Sequence, residues 1–388
     1  MKILFLCCGH YDSGLELFSK LRKRVNAKLV FQIVGDTLVQ SVFNIDVTDI
    51  PYGINKIQGH RLLDEIERLF EIKREDVFIL KYNSHSLRDL KNFTISKNFT
   101  KWVKKEEFTH INYYGSSLTW VQQLIFLLKI RKYFTIHDYI PHSGDYVGSG
   151  YQYKFYMKVI TKIKTHRFIL LSKKMRDEFI QYYKVNANSC GQIFFGSFEV
   201  YRKFLKHEVY EEPFSILFFG RISPYKGIEY LIEATKLLVK KIPELKVIIA
   251  GSGEFYFDIA EIKNDEHFEI HNYYISNEKL TEFISRSSVV VCPYTDATQS
   301  GVVMTAYAFN KPIIATDVGS FSEYVIDGET GIIVPPKNSE ALAEAIQKLI
   351  MDKKLLDYMR NQIKKLKEQR FNWEKSAEEL TNIYKGLD

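Results

Sequence analysis

From residue 215 onward, short apolar runs alternate with segments in which apolar residues return every three to four positions. The runs are Ser215–Phe219, Lys246–Ala250, Phe268–Ile270, Val289–Cys292 and Ile313–Thr316. The periodic segments are Gly227–Lys241, Lys279–Ser287, Gly301–Phe309 and Ser339–Met351. Runs of four to six residues suit buried strands, and the longer periodic stretches suit amphipathic helices. The alternation predicts βαβ units, a parallel sheet and right-handed crossovers. Ligands on such sheets gather beyond the carboxyl ends of the strands.

The first half repeats the theme less cleanly. Strands are expected at Ile3–Cys8, Leu29–Val34, Val77–Lys81, Thr109–Asn112, Tyr133–Ile136 and Phe168–Leu171. Helices are expected at Leu15–Arg24, His60–Phe70, Leu118–Ile130, Gly150–Thr165 and Lys173–Tyr183. Both signals fade between Gly196 and Pro213, where the acidic stretch HEVYEEP appears, and a linker is expected there. The boundaries are thus an α/β domain over 1–195, a linker over 196–213 and a second α/β domain over 214–370. The segment 371–388, helical in pattern from Asn372 to Leu387, is expected to pack back onto the first domain.

Composition supports two packed cores: 388 residues, 46% hydrophobic and 14% aromatic, exceed what one core usually serves. The opening apolar run, Ile3 to Cys8, is too short for a signal-peptide core and reads as a strand. No run approaches the roughly 20 apolar residues of a membrane span. Four cysteines (Cys7, Cys8, Cys190, Cys292) have neither metal spacing nor a disulfide framework, which points to a reducing cytoplasm. No cluster of Asp or His resembles a metal site, so neither a metal nor another cofactor is expected.

The net charge of +7 is concentrated. Between Tyr146 and Arg176 stand Lys154, Lys158, Lys162, Lys164, Arg167, Lys173, Lys174 and Arg176, with no acid. One reading is a solvated basic face. The other is attraction of 154–176 to anionic lipid headgroups, about 1 kcal/mol per cation near the surface, with Tyr151, Tyr153, Phe155 and Tyr156 interleaved. No nucleic-acid module appears, and no nucleic-acid partner is expected.

The chemistry concentrates after the strands. In LFFGRISPYKGIEY an apolar run ends at Gly220, Arg221 follows, and Lys226 stands beside Gly227 before a helix. Two cations and a helix start at a strand end suit a diphosphate. In IIAGSG, Gly251 can let a ligand approach the backbone, and ordinary turn chemistry fits it equally. In PYTDATQSGVVMTAYAFNKP the strand ends at Pro293, and the helix opening at Gly301 offers backbone amides from Ser300 through Val302 to Val303. Asp296, Thr298, Gln299 and Thr305 have the groups to bond sugar or ribose hydroxyls; ordinary capping and turn roles fit the same residues. In the first half, Gly9, His10, Ser13 and Gly14 form a polar loop after the first strand, and His137 and Asp138 end another. Glu323 suits a helix start.

Together these segments resemble the retaining GT-B glycosyltransferases of family 4, the group 1 transferases. The resemblance is carried by FFGRISPYKG, VIIAGSGE, SVVVCPYTDATQSGVVMTAYAFNKPIIATDVGS and VIDGETGIIVPP, and in the flanks by FTIHDYIPHSGD, FILLSKKMRDEF and FNWEKSAEELTNIY. It implies two Rossmann-like domains facing across a cleft. It also implies a nucleotide diphosphate sugar as donor and a glycan or lipid-linked acceptor, in bacterial-type polysaccharide or glycolipid assembly at the inner face of the membrane. It puts Arg221 and Lys226 on the departing diphosphate, His137 beside the donor sugar with Asp138 next to it, and the Gly9–Gly14 loop near diphosphate and sugar. Ala297 and Thr305 stand where many members carry two glutamates, which leaves room for a non-catalytic sugar-nucleotide-binding chain. An epimerase would need acid and base side chains at the anomeric cleft. Nucleobase recognition is expected around Asn272–Ile275.

Overall fold

The computed structural model describes residues 1–40, 42–86, 88–115, 130–140, 149–164, 166–298 and 300–386. The expected helix Leu118–Ile130 lies, but for its last residue, outside them, as does Gln299. The chain forms two compact units. One takes the chain up to Gly196 and again from Asn372; the other runs from Ser197 to Phe371.

The first unit is built on an eight-stranded sheet. Its strands are β1 Lys2–Cys7, β2 Asn26–Val34, β5 Gly53–Asn55, β6 Val77–Tyr82, β7 His110–Tyr114, β8 Arg131–Ile136, β9 His166–Leu170 and β10 Cys190–Gln192. Their order is β10-β9-β8-β7-β1-β2-β6-β5, parallel except for the edge pair β5/β6. A separate antiparallel hairpin, β3 Thr37–Gln40 and β4 Phe43–Asp46, was not expected from the sequence. Residues 3–7 of β1 are all buried, as befits a strand covered on both faces.

The second unit has a wholly parallel six-stranded sheet: β11 Ser215–Phe219, β12 Lys246–Gly251, β13 Phe268–Asn272, β14 Val289–Cys292, β15 Ile313–Thr316 and β16 Gly331–Val334. The order is β13-β12-β11-β14-β15-β16. This is the doubly wound arrangement, in which strand order reverses beside the first strand. The first sheet reverses in the same way, between β1 and β7.

Short polar side chains set the helix starts. Ser172 Oγ accepts from the Met175 amide at 3.0 Å, Asn338 Oδ1 from Ala341 at 2.9 Å and Asn372 Oδ1 from Lys375 at 2.8 Å. Each such cap contributes about 1 kcal/mol. The helix Trp373–Lys385 lies in the first unit, where the Tyr384 hydroxyl accepts from Asn112 Nδ2 of β7 at 2.7 Å.

The stretch 196–213, read above as a linker, is held to the second unit from Ser197 onward. Its acidic residues do the holding. Glu211 accepts from Lys311 Nζ at 2.7 Å and from Arg360 Nη2 at 2.6 Å, while Glu212 and Glu269 share the Arg286 guanidinium. Burial pushes the Glu211 carboxyl up, but Lys311 and Arg360 outweigh it and hold it below the usual range. A helix over Lys353–Gln369 and the strand β16 complete the unit.

Candidate functional site

In the second unit, β11 and β14 are neighbours at the point where strand order reverses. The chain leaves β11 through Gly220 at φ 123° and comes so close to β12 that a Cβ on Gly251 would lie 1.7 Å from the Gly220 carbonyl oxygen. Only glycine fits at 251. Arg221 follows, exposed. A one-turn 3-10 helix, Pro224–Lys226, then carries Lys226 to the wall of the crevice and ends at Gly227 in the left-handed region. A Cβ at 227 would stand 2.0 Å from the Pro293 carbonyl oxygen, so this glycine locks the loop after β11 against the loop after β14.

Lys226 Nζ lies 3.7 Å from the centre of the Tyr294 ring and 4.8 Å from that of Tyr225. An ammonium over an aromatic face is attracted by its quadrupole by about 1–2 kcal/mol where water is excluded. Tyr294 is 1% exposed. Burial pushes the Cys292 thiol beneath it up to about 12, Lys226 pulling the other way. Ser223 Oγ, between the two cations in sequence, is buried and has no partner among the described residues.

The helix Gly301–Ala308 opens on the same crevice, and the Val302 side chain comes within 4.0 Å of the Cβ position of Gly220. One expectation needs correction: the Val302 amide is not unpaired. Ser300 is the N-cap, and its Oγ accepts from Val302 N at 3.3 Å, as a serine at that position commonly does. Thr305 is 4% exposed, and its hydroxyl donates to the Gly301 carbonyl at 2.9 Å. Asp296 is half-buried in the loop after β14. Gly319 packs under that loop; its Cβ position lies 2.1 Å from the Ala297 carbonyl oxygen.

In the first unit the corresponding reversal lies between β1 and β7. The Cys8 amide extends the ladder to the Tyr114 carbonyl at 2.8 Å. Gly9 and Gly115 then meet back to back, a Cβ at 115 falling 2.9 Å from the Gly9 carbonyl oxygen. Gly14 sits where a Cβ would be 2.7 Å from Cys7 Sγ, so it lets the first helix, Tyr11–Leu21, press onto β1 and β7. His10 stands at φ 48° before that helix, and Ser13 Oγ donates to its carbonyl at 3.0 Å.

The left-handed turn lays the His10 ring flat on that of His137, centroids 3.7 Å apart and planes 1° from parallel. Tyr114 meets His137 edge-on at 4.8 Å. Burial, then the neighbouring His10, hold His137 well below the ordinary histidine range. It is therefore a neutral imidazole near pH 7. The Asp138 carbonyl accepts from the Tyr153 hydroxyl.

The sequence thus pointed to Gly9, His10, Gly14 and His137 at one reversal, and to Gly220, Arg221, Lys226, Gly251 and Ser300–Val302 at the other. It did not point to Gly115, Ser223 or Tyr294. Their signal was position: Gly115 and Tyr294 each stand within two residues of a strand end, as the chosen residues do. Around Asn272, Tyr273 and Tyr274 are each about half exposed beyond β13, and Asn272 Nδ2 donates to the Gly253 carbonyl at 3.1 Å. Among the described residues no group of His, Cys, Asp and Glu could hold a metal ion, and no helix is long and apolar enough to cross a membrane.

Residues 201–366 match the family described as Glycosyl transferases group 1. A capsular polysaccharide biosynthesis glycosyltransferase, CapM of Staphylococcus aureus, is 32% identical over 182 residues, covering 46% of this chain and 47% of CapM. The chain spans about half the length of the curated relatives it matches. Sucrose-phosphate synthase from Thermosynechococcus elongatus superposes with a TM-score of 0.70 at 17% identity, covering 100% of this chain and 99% of the synthase. Anabaena Alr3699/HepE in complex with UDP-glucose gives 0.67 at 16% identity, covering 100% of both chains. These likenesses show the GT-B fold, and the match to the glycosyl transferases group 1 spans residues 201–366 of the second unit.

Proposed function

We propose that this protein moves a sugar from a nucleotide diphosphate sugar to an acceptor hydroxyl, retaining the anomeric configuration and using no divalent metal. The observation that carries the reading is the β11/β14 crevice, where Arg221, Lys226 and the start of the helix Gly301–Ala308 follow adjacent strands. The bond that breaks joins the anomeric carbon to a phosphate oxygen. Its electron pair leaves with the diphosphate, and positive charge spreads over the ring carbon and ring oxygen. Arg221 grips diphosphate oxygens through its planar fork, and Lys226 supplies a compact second charge. Gly220, Gly251 and Gly301 keep the backbone close, while Ser300, Val302, Asp296, Gln299 and Thr305 are assigned to the rest of the donor. The acceptor oxygen attacks the same face, and its proton passes to the departing phosphate, so no side-chain base is required.

His137, neutral near pH 7, is assigned a hydroxyl of the donor sugar, with Gly9, Gly14 and Asp138 around it. The likeness to CapM supports an acceptor in polysaccharide assembly; a glycolipid acceptor and work at the cytoplasmic face of a membrane are part of the same proposal. Alr3699/HepE, bound to UDP-glucose, supports a nucleotide sugar as donor. Peripheral contact with anionic lipid through 154–176 belongs to the same proposal, since Lys158, Lys162, Lys164 and Phe155 are all exposed. Vesicle co-sedimentation at low salt that ignored anionic lipid content would end it.

A thermal-shift panel of UDP-, GDP- and ADP-sugars identifies the donor. Turnover is then expected to drop about a thousandfold or more in Arg221→Ala/Lys226→Ala, since one oxyanion donor alone is typically worth 10²–10³ in kcat. Wild-type turnover in that variant would overturn the leaving-group assignment. Donor binding without turnover would favour a non-catalytic sugar-nucleotide-binding role. That second reading is supported by Ala297, which offers no polar side chain, and by Thr305, whose hydroxyl is tied to Gly301.

A further inference from the structure

The helix Ser149–Thr161 runs back from the strand ends that carry His137 and delivers the chain to the opposite end of the first sheet, where β9 begins. A cavity of about 550 Å³ opens there. Lys162, Lys164, Arg167 and Lys184 line it, with Asn186 and Asn188 among its neutral donors. Among the described residues no carboxylate lines it, and none of the four cations has an ion-pair partner. Arg167 Nη1 is pinned by the carbonyls of Lys164, at 3.3 Å, and His166, at 3.1 Å, which consumes part of its fork without touching its charge. His166, also on the wall, donates through Nδ1 to the Ile160 carbonyl at 3.0 Å.

Four like charges around one concavity repel each other unless an anion sits among them. The cavity is much larger than a monatomic ion, and its amides and hydroxyls suit neutral oxygens beside the charge. We propose that this cavity binds a phosphate ester that carries a small polyol, of the glycerol phosphate type. Lys162, Lys164, Arg167 and Lys184 hold the phosphate oxygens, and Asn186 and Asn188 face the hydroxyls. Phe155, 66% exposed on that helix, and Ile163, 38% exposed just past its end, offer apolar surface in the same stretch of chain, so a lipid can present the ester as well as solution can. The site does not depend on the transferase reading. In its lipid-borne form it rests on the membrane contact proposed above, and the two arms of the test fail separately.

Titration calorimetry with glycerol 3-phosphate at low salt is the first arm. Saturable binding is expected, weakened about tenfold or more in Lys164→Gln/Arg167→Gln and again in the independent pair Lys162→Gln/Lys184→Gln, since each removes two charge-assisted contacts. Co-sedimentation with phosphatidylglycerol vesicles, against phosphatidylcholine, is the second. Loss of pelleting in both double variants and in Phe155→Ser, with glycerol 3-phosphate binding kept in Phe155→Ser, assigns the ester to a lipid. Unchanged pelleting in Phe155→Ser and the double variants, with the soluble ester lost in the double variants, assigns it to solution. The proposal is overturned if the wild type binds neither probe, or if both double variants bind both probes as the wild type does.

Discussion

The two sheets reverse their strand order at equivalent places, yet the crevices there carry opposite chemistry. At β1/β7 the chain presents two stacked imidazoles, an edge-on tyrosine and a burial that disfavours charge. At β11/β14 it presents Arg221 and Lys226, the second resting on a buried aromatic ring. Glycines let backbones close up at both, Gly9 with Gly115 across β1/β7 and Gly227 against the Pro293 carbonyl across β11/β14. Topology therefore decides where a ligand can approach, and the few residues after each strand decide whether the welcome is for an anion or for neutral hydroxyls.

The difference breaks most readily in nucleotide binding. Affinity for the nucleoside diphosphate is expected to fall roughly 100-fold or more in Arg221→Ala/Lys226→Ala, two charged hydrogen bonds being worth about 1.5–3 kcal/mol each. The same titration on His137→Ala should stay within a few-fold of wild type. Equal losses would erase the distinction between the crevices.

Stability comes next. Gly251→Ala forces a methyl against a backbone carbonyl at 1.7 Å and should lose about 3 kcal/mol or more in urea unfolding, with neither wall able to yield. Gly115→Ala meets Gly9 at 2.9 Å and must hold φ 90°, and should lose about 2 kcal/mol. Matching losses would mean that the two glycine contacts are equally tight.

A smaller effect isolates the ring beneath Lys226. Tyr294→Leu should weaken nucleotide binding about tenfold, a loss of 1–2 kcal/mol, while Tyr294→Phe keeps the cation–π contact and most of the affinity. A drop in both variants alike would transfer the role to the hydroxyl.

The smallest effect is in acid. Burial, with Lys132 nearby, takes His166 of the first unit from 6.5 to about 4. As pH falls, the unfolded chain binds the proton first, so the contribution of this residue is intact above pH 6.5 and lost progressively toward pH 4. Urea midpoints at pH 7 and pH 4.5 should therefore move less in His166→Gln than in wild type. An identical shift would show that other groups carry the acid sensitivity.

Legibility in the sequence followed the same divide. The second sheet could be read almost strand for strand because its inner strands β11, β12, β14 and β15 are buried on both faces and appear as apolar runs, while the half-buried edge strand β16 went unread. The helix Leu90–Lys105 escaped notice because its inward face carries Asn92, Ser96 and Thr100. Those polar groups are satisfied inside: Ser96 Oγ by the Tyr82 hydroxyl at 2.9 Å, and Asn92 Nδ2 by the Ser84 carbonyl at 2.7 Å. Their partners are not visible in a hydrophobic pattern. The acidic pair Glu211 and Glu212 misled in the opposite direction, since charges expected to mark a solvated linker are bound by Lys311, Arg360 and Arg286.

Apolar periodicity and the glycines that follow strands were enough to dictate two α/β units, the polarity of the second sheet and the residues standing at its strand ends. These are local properties, set by which backbone angles and which faces each short segment tolerates. The flat stack of His10 on His137, the seat of Lys226 on Tyr294 and the meeting of Lys184 with the basic stretch Lys162–Arg167 around one cavity belong to folding alone. Each joins residues brought together only when separate strands and helices pack, across distances along the chain that no local preference reaches.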